Sequence, residues 1–104
     1  MAILYKILTR KDWEAFQEAR VYRGSAHDIR DGFIHFSAAH QLAGTAEKHY
    51  VGQTELVLLQ VDSDRLTPEQ LRWEPSRGGD LFPHLYGPLQ LDDVLASEVF
   101  EAPK

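Results

Sequence analysis

Apolar residues along the chain fall in short runs whose spacing changes from one segment to the next. ILYKIL, from Ile3 to Leu8, is apolar except for one lysine and predicts a strand. Thr9 then offers a helix cap, with Asp12 three residues later completing a capping box ahead of WEAFQEAR. Trp13, Phe16 and Ala19 fall at helical spacing and predict its core-facing side. VYRGSAHDIRDG is polar and glycine-bearing and predicts an irregular loop ending in an Asp31-Gly32 turn. Phe33 to Phe36 predicts a strand and Ser37 a cap for the next helix. In that helix Ala39, Leu42, Ala43, Ala46 and Tyr50 keep the 3.6 period as far as Gly52.

LVLLQV, from Leu56 to Val61, is an almost unbroken apolar run and predicts a central strand buried on both faces. Thr67-Pro68-Glu69-Gln70 predicts a single helical turn with proline at its first position. LRWE then predicts a short strand, LYGPLQL an edge strand and VLASEVF a closing strand. Strands and helices in this order, without a strict βαβα rhythm, predict a single small α+β domain spanning residues 1–104. No glycine-rich dinucleotide fingerprint and no phosphate-loop lysine interrupts that reading.

Composition narrows the chemistry. With 43% hydrophobic and 26% charged residues the chain has the make-up of a globular domain able to bury a core. A net charge of −5 leaves no basic stripe, which argues against general nucleic-acid binding. The absence of cysteine excludes disulfides, a thiol nucleophile and thiolate-held zinc or iron–sulfur centres. The N-terminal apolar run reaches Lys6 too soon for a signal peptide or spanning helix, which predicts a cytoplasmic protein with no membrane association.

Two stretches carry candidate chemistry. In FIHFS, strand alternation sets Ile34 and Phe36 on one face and His35 and Ser37 on the other. If the first pair enters the core, His35 and Ser37 stand together, suited to orienting a ligand or handling a proton. The plainer reading is a capping serine beside a hydrogen-bonded histidine. The second stretch, RWEPSRGGDLFPHLYGPL, concentrates prolines, glycines, imidazole, phenol and guanidinium between Arg72 and Leu89. Here Arg77 with the backbone of Gly78 and Gly79 could grip a carboxylate or phosphate. Glu74 would leave the end of its strand pointing away from the core, and His84 and Tyr86 fall on one side of an extended run. A proline-stiffened surface loop is the alternative. No metal site is expected, because His35 and His40 straddle a strand-to-helix junction at an unrecognised spacing, and His27 and His49 read as solvated. No nucleophile elbow surrounds Ser37.

The ILYKI strand, the tryptophan-bearing helix, DGFIHFS and LRWEPSRGGDLFPHLYGPL together resemble the small bacterial and plant family catalogued as a domain of unknown function, number 952. That family is distantly similar to the ADP-ribosyltransferase-like fold. The resemblance implies a split, mostly antiparallel β-structure with two main helices and a cleft for an NAD-like nucleotide. The related RNA 2′-phosphotransferases carry a His-x-His-x-Ser stretch. Residues 33–37 are similar to it, with Phe33 in place of the first histidine, while Tyr5-Lys6 stands near their first-strand Tyr-His. Glu74, or Glu98 on the last strand, would take the place of their late glutamate.

The expectation is therefore a pocket for a nucleotide-like or phosphorylated small molecule, with ADP-ribosyl- or glycosyl-transfer-like chemistry carried by His35, Glu74 and His84. Ser37, Arg77, Gly78, Gly79 and Tyr86 would bind the ligand. The alternatives are a non-catalytic small-anion or metabolite-binding module, and an interaction domain whose Trp13, Phe82 and Tyr86 form a partner or homodimer surface.

Overall fold

The computed structural model describes residues 2–104, the side chain of Arg77 excepted. Its centre is a three-stranded antiparallel sheet in which β4 (Leu56–Asp62) lies between β1 (Ile3–Thr9) and β8 (Val94–Phe100). The apolar run of β4 is buried on both faces, as its pattern predicts. Val57, Leu59 and Val61 enter the larger core with Leu4, Leu8 and Phe16. Leu56 and Leu58 pack on the other side with Ile7 and Ala46. β8 is an edge strand whose Leu95 and Val99 are exposed.

Helix α1 (Arg10–Ala19) starts where Thr9 accepts a hydrogen bond from the Asp12 N–H. Phe16 is its buried residue, Trp13 is half-buried against the same core, and Ala19 is exposed, so the core-facing side is narrower than its period suggests. A second antiparallel sheet joins β3 (Ile34–His35), β6 (Leu81–Leu85) and β5 (Leu71–Pro75) with β6 in the middle. A third, of two short strands, pairs β2 (Val21–Tyr22) with β7 (Leu89–Gln90). Tyr5 and Ser37 exchange two backbone hydrogen bonds and so tie the first sheet to the second. The architecture is α+β with three small antiparallel sheets. Among the described residues no helix is long and apolar enough to cross a membrane.

Four local expectations are corrected. The segment read as a loop contains β2 and helix α2 (Ala26–Asp31), because Ser25 and Asp28 form a reciprocal capping box. Ser37 does not cap the following helix. That helix begins as a 3₁₀ turn at Ala39–Gln41 and runs into α3 (Leu42–His49), and the Gln41 side chain accepts the Ala38 N–H instead. Residues 67–70 make a hydrogen-bonded turn in place of a helix. Phe82 is buried, so it cannot belong to an exposed partner surface.

Candidate functional site

The site is built on the pairing of β3 with β6, which sets His35 opposite His84. Ile34 is buried in the core and Leu85 lies opposite it, so alternation turns both imidazoles to the other face. The two rings are 5.5 Å apart. The Phe33 ring stacks on His84 at 4.1 Å and leans on His35 at 4.6 Å. The two histidine-bearing stretches thus share one wall.

Each imidazole is held by its own carboxylate. Asp28, at the third position of α2, accepts hydrogen bonds from the Ser25 N–H at 2.8 Å and the His35 N–H at 3.2 Å. It lies 2.6 Å from His35 Nδ1, and Lys6 from β1 donates to both its oxygens at 2.8 and 3.1 Å. Burial alone would push the Asp28 carboxyl up. The bonds from His35, Lys6 and Ser25 outweigh it and hold the group well below the usual carboxylate range. Burial draws the Lys6 ammonium down from its ordinary value, with Asp28 pulling the other way. Gly24, at φ +112°, passes so close that a Cβ there would lie 2.5 Å from the Asp28 Cβ. This is a close approach that only glycine permits.

On the second carboxylate, Glu74 of β5, one oxygen accepts from the Tyr86 hydroxyl at 2.6 Å and lies 2.9 Å from His84 Nδ1. Those two bonds hold the Glu74 carboxyl below its ordinary range. The Arg72 guanidinium rests 5.1 Å from the Tyr86 ring centre.

A cavity of about 390 Å³ opens between α2, α3, β1 and the β3–β6 wall. His27, Asp31, His35, Ser37, His49 and His84 contribute to its polar lining, together with Lys48 and the buried Lys6–Asp28 pair. Of the expected site residues, His35, Ser37 and His84 line this cavity. Ser37 Oγ is hydrogen-bonded to Thr45 at 2.8 Å. Glu74 stands behind His84 and orients it, and Tyr86 lines a shallower cleft with Phe33. Gly78 and Gly79 form a turn that does not border the cavity, and the Gly79 N–H is bonded to the Ser76 carbonyl. The Arg77 side chain, expected to hold anionic oxygens, lies outside the described residues. Glu98 is exposed on β8, opposite Leu58, and borders no part of the cavity.

Sequence reasoning missed Lys6, Asp28, His27 and Asp31. The signal was Ser25-Ala26-His27-Asp28, a capping box that marks a helix start. Once a helix is placed at Ala26–Asp31, His27 and Asp31 fall one turn apart on a single face. His27 Nε2 is 3.0 Å and His35 Nε2 3.1 Å from the same Asp31 oxygen, a donor set able to hold a metal ion. Slight burial opposes it, but Arg30, His27 and His35 hold the Asp31 carboxyl below its usual range.

The model of the family described as a protein of unknown function (DUF952) matches residues 7–97. The chain belongs to this family. A crystal structure of another protein, CC0527 from Caulobacter crescentus, is 46% identical with a TM-score of 0.91, covering 95% of this chain and 86% of that one. A solution NMR structure of CC0527 gives 46% identity and a TM-score of 0.83, covering 95% and 84% of the two chains. No curated protein matches the chain. This DUF952 chain therefore shares its fold with that neighbour over 95% of its length.

Proposed function

We propose that this DUF952 domain binds a small phosphorylated, nucleotide-like molecule in the cavity, as a transferase or hydrolase of the ADP-ribosyltransferase-like kind. The observation that carries the reading is the convergence of His35 and His84, each fixed by a carboxylate, on one cavity wall. A volume of about 390 Å³ suits a mononucleotide-sized group. Lys48 and His49 border the same cavity and supply donors for anionic oxygens.

His84 is the acid–base group in this reading. With Nδ1 engaged by Glu74, its Nε2 is the nitrogen left to take a proton from an attacking hydroxyl or return one to a leaving group. Glu74 is a positioning residue, a role that replaces the direct contact with a sugar expected from sequence. Ser37 orients the ligand, and the His35 ring, engaged by Asp28 and Asp31, shapes the wall beside it. Lys6, near the place of the phosphotransferases' first-strand histidine, is committed to Asp28 and serves the scaffold.

Thermal shift with AMP, ADP-ribose and NAD tests the reading, followed by an assay for nicotinamide release from NAD. The expected result is a higher Tm with at least one of these ligands, abolished by His84→Gln in a folded variant. A shift without product would leave a binding module. The absence of any shift at millimolar ligand would remove the proposal.

A further inference from the structure

We propose that His27, Asp31 and His35 form a site for one divalent transition-metal ion of the zinc class, open toward the cavity. His27 and Asp31 project from one face of α2 and His35 reaches them from β3. The three ligand atoms all lie within 4.8 Å of one another, and two of the separations are 3.0 and 3.1 Å. Tetrahedral zinc, with bonds of about 2.0–2.1 Å, sets its ligand atoms roughly 3.3 Å apart. Reaching that geometry turns on the exposed His27 ring, which moves toward His35.

A second observation comes from the far side of His35. Its Nδ1 lies 2.6 Å from the buried carboxylate of Asp28, which fixes the proton on Nδ1. With Nδ1 engaged by Asp28, Nε2 is the ring nitrogen turned toward the Asp31 oxygen, 3.1 Å away. A carboxylate behind a ligating imidazole is also the arrangement that aligns histidine on metal ions. Two imidazoles and one carboxylate, with no thiolate, favour zinc, cobalt or nickel over magnesium and calcium. Three protein ligands leave a coordination position for water or a ligand oxygen on the cavity side.

The proposal does not depend on the nucleotide reading, because metal uptake is measured with no nucleotide present. Metal-free protein is titrated with Co²⁺ alone, followed by its visible absorption, and Zn²⁺ affinity is then obtained by displacement. The expected result is one ion per chain with an intense tetrahedral spectrum. His27→Ala and Asp31→Asn, both on exposed positions of α2, should weaken binding by about a hundredfold or more, beyond what loss of an outer-shell partner causes. His40→Ala, which removes another exposed histidine lying 3.1 Å from an aspartate, should leave it unchanged. The proposal is overturned if the wild-type protein binds no more tightly than His27→Ala and Asp31→Asn, or if His40→Ala weakens binding equally. Unaltered melting of the metal-free variants separates loss of ligands from loss of fold.

Discussion

The two carboxylate–imidazole pairs on the β3–β6 wall are built the opposite way round. In Asp28–His35 the carboxylate is the buried partner, with 2% of its side chain exposed against 30% for the imidazole. In Glu74–His84 the imidazole is buried, at 7%, and the carboxylate is 34% exposed. A buried carboxylate needs its charge compensated on every side, and Asp28 draws on Lys6, Ser25 and His35 together. The first pair is therefore locked into the scaffold and joins β1, α2 and β3. The second rests on one surface carboxylate, and its coupling to the fold is correspondingly weaker.

The largest effect should come from the first pair. Asp28→Asn leaves the Lys6 ammonium buried without a counter-charge and should cost about 3–5 kcal/mol at neutral pH, read from urea unfolding. Adding Lys6→Met should recover a large part of that loss, since the stranded charge goes with it. A cost for Asp28→Asn no larger than that of a surface substitution would break the contrast between the pairs. Acid gives a second route. The folded-state value of Asp28 lies below its unfolded one, so its contribution is whole above about pH 4 and is lost as pH falls through the folded value. The Tm of the wild type should decline steeply below pH 4, and Asp28→Asn should flatten that part of the curve.

Glu74→Ala should act on function more than on stability. Water can replace the lost carboxylate at the surface, so the unfolding midpoint should move by a small fraction of the Asp28→Asn change. Without its holder, however, the His84 ring loses its fixed orientation, and any nucleotide-induced rise in Tm should largely disappear. Equal losses of stability in Glu74→Ala and Asp28→Asn would show that the two pairs are alike after all.

The difference between the pairs also explains what could be read beforehand. β1 and β4 were legible because their apolar runs match what each sheet face buries, and β8 from its β-branched and aromatic residues, although most of that edge strand is exposed. The shared face of His35 and Ser37, and that of His84 and Tyr86, followed from strand alternation alone. Helix α2 was not legible from periodicity, because AHDIRD has no apolar stripe. It is held by a capping box and by an ion pair to a lysine 22 residues earlier. Lys6 looked like polar punctuation in a strand, since nothing local distinguishes a snorkelling lysine from one neutralised in the interior. Gly78 and Gly79 suggested an anion grip, whereas the turn uses the Gly79 N–H to close on Ser76.

The smallest effect is expected from Tyr86→Phe, and it isolates one bond of the weaker pair. The Tyr86 hydroxyl donates to Glu74 at 2.6 Å from a side chain about one-third exposed. Its loss should change stability by no more than about 0.5 kcal/mol, as for other surface substitutions. The titration of Glu74 should respond more clearly, because the Tyr86 bond is the first cause holding its carboxyl down. In Tyr86→Phe that carboxyl should move up toward its ordinary value, measured by NMR on the side-chain carbonyl carbon. The remaining depression then reports what His84 and, more weakly, Arg72 supply. If Glu74 does not move, the hydroxyl is not its principal partner in solution, and the surface pair reduces to imidazole and carboxylate.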